Sequence, residues 1–291
     1  RWAELSALGV LAAFADEENG GLGGAGFDIA TVFQELGRAL CPEPFLPQLL
    51  AIRLLSAAGA PVEPAISGAA RHAVAIGELS APYELADIET AAVADGDGVR
   101  LAGRKSVVYG GLGADRFLIA ARGPDGAIGL YETGGEAARV TGYAMIDGGN
   151  AAEVFLDGAP ARRLMDDAAR AIEAALDAGR LALCAEAVGA MERTHETLLD
   201  YLKTRKQFGR TIGSFQVLQH RAVDLAIEIE QARSITILAA SKLGEADGAR
   251  TVAMAKNLVG RAAKLVAEEA IQMHGGIAMT WEYPVSHYAK R

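Results

Sequence analysis

Cysteine is nearly absent from this chain: Cys41 and Cys184 are the only two in 291 residues, and they lie far apart. That supports neither a disulfide framework nor a zinc spacing and fits a reducing cytoplasm. No run of about 18 apolar residues is present, so no membrane-spanning helix is expected. The first residues carry no signal-peptide pattern, although the chain starts with Arg1 rather than Met. Positive charge is in deficit, with 28 Lys and Arg against 37 Asp and Glu and a net charge of −9. Nucleic-acid phosphates call for a basic face, so nucleic acid is excluded as a partner, and any anionic ligand needs a local cluster of Arg and Lys. Internal repeats and low-complexity tails are missing too.

What is present is a composition 51% hydrophobic and 22% charged, ordinary for a folded protein, in three textures. Residues 1–70 are rich in Ala and Leu. Ile29, Val32, Phe33, Leu36 and Leu40 recur at helical spacing, and Phe45 to Ala58 is a second apolar stretch after Pro42 and Pro44. The run Asn19-Gly20-Gly21-Leu22-Gly23-Gly24 reads as a loop between helices, because it lacks the Lys-Ser/Thr ending of a phosphate loop. Residues 71–165 change to short β-like runs, clearest at Val107–Tyr109, Phe117–Ile119, Ile128–Tyr131 and Val154–Leu156. Asp95-Gly96-Asp97-Gly98 and Gly123-Pro124-Asp125-Gly126 have hairpin-turn chemistry, so a small antiparallel barrel or sandwich is expected. From 166 to 291, apolar positions at Leu181–Leu202, Leu218–Ile235 and Val252–Ile271 outline three long helices, which short joints fold into an antiparallel bundle. The chain therefore reads as α+β: an N-terminal helical domain (1–70), a middle β domain (71–165) and a C-terminal helix-bundle domain (166–291), with both helical domains incomplete.

Two segments of the last region carry chemistry. Arg205-Lys206-Gln207-Phe208-Gly209-Arg210-Thr211-Ile212-Gly213-Ser214-Phe215-Gln216 offers a permanent charge with fork geometry suited to pyrophosphate. Gln272-Met273-His274-Gly275-Gly276-Ile277-Ala278-Met279-Thr280-Trp281-Glu282-Tyr283-Pro284 offers a glycine pair that lets a ligand approach the backbone. Gln207, Gln216 and Gln272 supply amides, and Phe208 and Phe215 supply apolar walls. Singly, Gly209 and Gly213 read as well as helix ends, and Arg205 as a solvated helix-end charge. His274 reads as a spacer, with no neighbouring His, Cys or carboxylate to suggest a metal site.

Together and in this order, the segments resemble the R-x-Q-F-G-x-x-I-x-x-F-Q and Q-x-x-G-G-x-G signatures of the acyl-CoA dehydrogenase family, and the α-β-α texture matches over essentially the whole chain. The resemblance implies that Arg205, Gln207, Phe208, Phe215, Gln216, Gln272, Gly275 and Gly276 hold the adenine and pyrophosphate half of FAD, partly across a subunit boundary. Ser80 to Asp87 stands where the family has T-E-P-x-A-G-S-D, and Val107-Val108-Tyr109-Gly110-Gly111 where it has W-I-T-N-G. Ser80 and Tyr109 are thereby implied at the flavin, and Pro82 beside the substrate. Ala86 replaces the family's serine, Val107 its tryptophan and Ala278 a glycine.

The family's reaction is α,β-dehydrogenation of an acyl-CoA thioester: a carboxylate removes the α-proton while the β-hydrogen leaves as hydride to the flavin N5. The resemblance places that base either immediately before an Arg on the first bundle helix, where this chain has Gly179-Arg180, or after the Gly-Gly motif at a position beyond Arg291. The catalytic residue therefore stays open. Asp177, three residues before Arg180, serves as a base only with a different helix phase; Asp177 and Arg180 are expected on the substrate side. Glu173 and Glu186 read as solvated or helix-end charges, and Glu282 as a structural hydrogen-bonding residue.

The expected activity is FAD-dependent acyl-CoA oxidation, as in fatty-acid β-oxidation, with an electron-transfer flavoprotein or similar acceptor. The Trp281-containing motif and the altered flavin strand also resemble small subunits of hetero-oligomeric members, so the alternative is a catalytically silent partner that completes another subunit's FAD site. A flavin monooxygenase or oxidase relative on the same fold is the third reading. Ala-dense helices apolar on more than one face predict a dimer of dimers, homomeric or heteromeric.

Overall fold

Short alternating runs between His72 and Met165 leave one face of each strand apolar, and such strands bury that face by curling around it. In the computed structural model, which describes residues 1–96 and 98–291, they form one seven-stranded sheet. Its strands are β1 (His72–Ala75), β2 (Ala91–Asp95), β3 (Gly98–Tyr109), β4 (Arg116–Arg122), β5 (Ile128–Gly134), β6 (Arg139–Ala144) and β7 (Asn150–Met165). The order β4-β2-β3-β7-β5 closes on itself through a β4–β5 pairing. β6 adds antiparallel to β7, whereas β1 adds parallel to β4. Leu101, Val108, Phe117, Ile119, Tyr131, Val154 and Leu156 fill the interior. The expected Gly123–Gly126 turn joins β4 to β5, with the Gly123 N–H donating to Ala127 O at 2.8 Å. The other expected turn, Asp95 to Gly98, falls outside the described residues at Asp97.

This sheet belongs to a unit comprising Arg1–Gly24 and Pro42–Gly179. Its helices are α1 (Trp2–Ala7), α3 (Phe45–Ala57) and α4 (Glu63–Ile66). α3 is apolar around most of its circumference and accordingly buries Leu49, Ile52, Leu54 and Leu55. Its one buried amide, Gln48, donates to Ala65 O (2.8 Å) and Ala70 O (2.9 Å) and accepts the His72 N–H (2.9 Å), which fixes where β1 begins.

A second unit comprises Ala25–Cys41 and Arg180–Arg291. It contains α2 (Gly26–Ala39), most of α5 (Ala169–Thr204), α6 (Gln216–Lys242), α7 (Gly248–His274) and α8 (Val285–Lys290). Leu181, Val188, Leu225, Ile229, Val252 and Val259 form its core. α2 meets this bundle backbone to backbone. A β-carbon on Gly26 would come within 2.1 Å of Ala240 O, on Gly37 within 2.0 Å of Glu186 O, and on Gly189 within 2.0 Å of Gln34 O. Polar contacts lock the same seam: Gln34 (2.9 Å), Arg38 (2.8 Å) and Arg233 (3.0 Å) all donate to the Glu192 carboxylate. No described helix is long and apolar enough to cross a membrane.

Gly189→Ala places a methyl against the rigid α2 backbone. It is expected to cost about 1–3 kcal/mol as overpacking, read as a lowered thermal midpoint. An unchanged midpoint would contradict the contact.

Candidate functional site

The second unit brings the two sequence motifs together through three rings. Tyr201 lies in the last turn of α5, one helical turn before Arg205, and its ring centroid is 4.6 Å from His274 and 6.1 Å from Tyr283. His274 and Tyr283 are 5.1 Å apart. His274 Nδ1 lies 2.7 Å from Ala270 O. A carbonyl only accepts, so Nδ1 carries the proton and Nε2 is an acceptor, buried with no hydrogen-bond partner. Burial lowers the pKa of this imidazole, against a smaller opposing pull from the Ala270 carbonyl. His274 is thus a neutral packing piece, and no metal-ligating group of three side chains occurs among the described residues.

After Arg205 the chain turns back in a two-stranded hairpin, β8 (Lys206–Gln207) and β9 (Arg210–Thr211). Its tip holds Phe208 at φ +53° and Gly209 at φ +78°, so Gly209 serves a tight turn rather than a helix end. Phe208, 88% exposed, meets Phe215 edge-on at 6.1 Å, and the Arg210 guanidinium lies 4.1 Å over the Phe215 ring. Arg205, Gln207, Gln216 and Gln272 are solvent-exposed, and none of their side chains bonds to another described residue. At Gly275 (φ +70°) and Gly276 an added β-carbon would meet nothing within 4 Å. A charged fork, three amides with open hydrogen-bonding capacity and bare backbone facing open space fit a pyrophosphate-linked dinucleotide.

In the first unit, Ser80 lines an open cleft of about 640 Å³ with Glu78, Glu89, Thr90 and Arg104. Pro82 is exposed beyond it. Glu78, which lines the cleft, is one half of a buried charge pair. Lys105, fully buried, donates from Nζ to Glu78 Oε1 at 2.7 Å and to Ile76 O at 2.8 Å. Glu78 also accepts the N–H groups of Glu89 (2.9 Å) and Thr90 (3.0 Å), so it ties together both ends of the loop carrying Ser80 and Pro82. Burial pushes the Glu78 carboxyl up, but the hydrogen bonds from Lys105 and the two amides outweigh it and bring it to about 2. Burial lowers Lys105 to about 8 despite the pull of Glu78, so both groups are charged at neutral pH.

At one of the two base positions that the resemblance implies, Gly179 is buried, and an added β-carbon would lie 2.9 Å from Leu50 Cδ2 and 3.4 Å from Leu46 Cδ1. Asp177 and Arg180 are half-buried, and Glu173 is exposed. Glu186 departs from the solvated charge expected of it: it is buried and ion-paired with Arg291. α2 covers that stretch of α5, with Gly37 against the Glu186 carbonyl. Glu282 departs in the opposite sense, since it is exposed and bonds to no described residue. Among the side-chain hydrogen bonds that do fasten this turn are those of the Ser286 hydroxyl, which lies 3.1 Å from both Thr280 O and Tyr283 O.

Residues 168–291 match the family model of the acyl-CoA dehydrogenase C-terminal domain. Over 290 residues the chain is 35% identical to acyl-CoA dehydrogenase IpdE2 of Mycobacterium tuberculosis, covering 98% of this chain and 77% of that protein. The chain belongs to the acyl-CoA dehydrogenase family. Among solved structures, the chain superposes on the Tcur3481–Tcur3483 steroid ACAD G363A variant with a TM-score of 0.88 at 32% identity, covering 99% of this chain and 81% of that one. The ChsE4–ChsE5 complex of Mycobacterium tuberculosis gives 0.89 at 28% identity, covering 99% and 80%.

Sequence reasoning missed three residues at these candidate sites. Tyr201 carried only a positional signal, one helical turn before Arg205. Lys105 carried a better one: it shares the inward face of β3 with Leu101, a place where lysine is out of character. Glu78 gave none. Lys105→Met leaves a buried carboxylate unpaired and is expected to cost about 3–5 kcal/mol in urea unfolding, with the Glu78→Gln/Lys105→Met double variant losing less than the sum of the two. Because the Glu78 carboxyl is held near 2 against an ordinary 4.5, its stabilising contribution is fully present above about 4.5 and lost as pH falls toward 2. The double variant is expected to lose that acid-sensitive component.

Proposed function

We propose that this chain is a FAD-dependent acyl-CoA dehydrogenase, working as one subunit of an oligomer and holding the nucleotide half of FAD along the Arg205–Gln216 segment and the Gly275–Gly276 turn. The observation that carries the reading is the Tyr201–His274–Tyr283 contact, which sets the start of the Arg-Gln segment beside the open glycine pair. Arg205 pairs with the pyrophosphate, while Gln207, Gln216 and Gln272 bond ribose, phosphate or adenine. Phe208 and Phe215 wall the nucleotide from water. When bound, FAD supplies the acceptor for the hydride leaving the acyl β-carbon. Ser80 and Tyr109 meet the flavin, and Pro82, Asp177 and Arg180 line the acyl-CoA side. An electron-transfer flavoprotein or similar acceptor takes the electrons onward.

Assembly is supported by an apolar groove of about 660 Å³ along α6, lined by Val223, Ile227, Ile235, Leu238 and Leu258. Val223, Ile227 and Leu238 are each more than two-fifths exposed, a face suited to another subunit in a dimer of dimers.

A second reading, the catalytically silent partner subunit, is favoured by Gly179. This position has no side chain to accept a proton, and the ends of Leu46 and Leu50 occupy the space beside it. The two-protein names of both neighbouring structures, one of them a steroid ACAD, point the same way.

Arg205→Ala is expected to weaken FAD retention by tens of fold, from a lost charge-assisted contact of about 1.5–3 kcal/mol. Flavin per protomer in the purified variant measures it, and unchanged flavin would remove Arg205 from the site. The two readings separate on turnover of a panel of linear, branched and steroidal acyl-CoAs with an artificial electron acceptor. Robust turnover by the chain purified alone rejects the silent partner; turnover only after co-expression with a second subunit supports it.

A further inference from the structure

Strand β3 contains a register fault in the segment that carries Tyr109. Lys105 pairs with Val154 and Val108 with Ala152, so Ser106 and Val107 together oppose the single residue Glu153 of β7. The fault changes which residues face outward. Along an unbroken strand Lys105 inside would put Val107 inside and Val108 outside. Here Lys105 and Val108 are buried, while Val107 and Tyr109 are 52% and 49% exposed. The extra residue turns Tyr109 outward.

Accommodating it forces Val107 to φ +53°, a left-handed conformation that a β-branched residue adopts only when its surroundings compel it. Glu153 supplies the compulsion. Its Oε1 accepts the Val107 N–H at 3.3 Å, and its Oε2 accepts the Ser106 hydroxyl at 2.8 Å and Arg104 Nε at 3.0 Å. On the other side, the Ser106 N–H donates to Gly77 O at 3.0 Å, next to the Glu78 anchor of the Ser80 loop. The outward face so created is aromatic. Tyr109 and Tyr143 both pair with Ala151, from β3 and β6, and therefore stand on the same side of the sheet; the Tyr143 hydroxyl reaches Glu153 Oε1 at 3.5 Å.

We propose that Glu153 is a positioning residue for the flavin: by filling the bulge it holds Val107 left-handed and turns Tyr109 outward beside Tyr143, making the platform on which the ring lies. This rests on the FAD reading above. Tyr143, which no motif marked, becomes a ring contact, and Val107 owes its exposure to the carboxylate behind it.

The test uses the full chain, or its complex if flavin binds only there. Glu153→Gln removes the charge and one acceptor but keeps the size. It is expected to retain flavin, since Arg205 and its neighbours are untouched, while the visible absorption bands and flavin fluorescence shift and turnover falls between about tenfold and a hundredfold, as small misplacements do. Ser106→Ala, which leaves the carboxylate in place, is expected to give a smaller shift of the same sign. In the flavin-free protein, Val107→Gly should recover most of the thermal-midpoint loss caused by Glu153→Gln, because glycine adopts this conformation unaided. Bound flavin with spectra identical to the parent's in Glu153→Gln overturns the positioning role alone. If Glu153→Gln does not fold, unchanged spectra in Ser106→Ala overturn it. A parent without flavin, alone and in complex, overturns the FAD reading and the positioning role with it.

Discussion

A lysine and a glutamate buried together set the geometry on which one edge of the sheet depends. Lys105 has no water around it, so its ammonium needs fixed acceptors, and it finds them on Glu78 and the Ile76 carbonyl. Glu78 then has capacity left for the amides of Glu89 and Thr90. One pair thereby pins the exit of β1, the approach to β2 and the middle of β3. An apolar pair of equal volume would fill the space without specifying any of those backbone positions. The bulge at Ser106 and Val107 begins at the residue after Lys105, so its placement along β3 is anchored by the same charge.

Much of the architecture was legible because it is local. Helical spacing located α5, α6 and α7, and turn chemistry at Gly123–Gly126 located the β4–β5 hairpin. What escaped depends on partners distant in sequence. Gln34 and Glu192 lie 158 positions apart, and nothing in either neighbourhood announces that α2 packs with the later helices. The bulge becomes visible only once β3 is set in register against β7, some 45–50 positions on. The burial of Glu186 follows from α2 as well, and so was misread as solvation.

The candidate site shows the same division. Its polar members could be singled out only as a set, by their resemblance to the family's motifs, because each alone reads as well as a helix end or a solvated charge. The residues that aim them could not. Tyr201 and Tyr283 look like ordinary aromatics, and the neutral state of His274 rests on a helix-internal hydrogen bond to Ala270. Exposed polar groups can be listed from a motif; buried supporting ones are defined by what surrounds them.

The glycine seam has a consequence for taking the molecule apart. α2 precedes the whole β-sheet in the chain yet shares backbone contacts with helices that follow it, so neither unit is one continuous segment. The polypeptide passes from one unit to the other at three points, near residues 24, 41 and 179. A single cut therefore never yields an intact half: severing before Arg180 frees a bundle stripped of α2, with the groove meant for a glycine-faced helix opened to solvent. Fragments for spectroscopy or for pairing experiments would have to carry residues 25–41 in trans or by circular permutation.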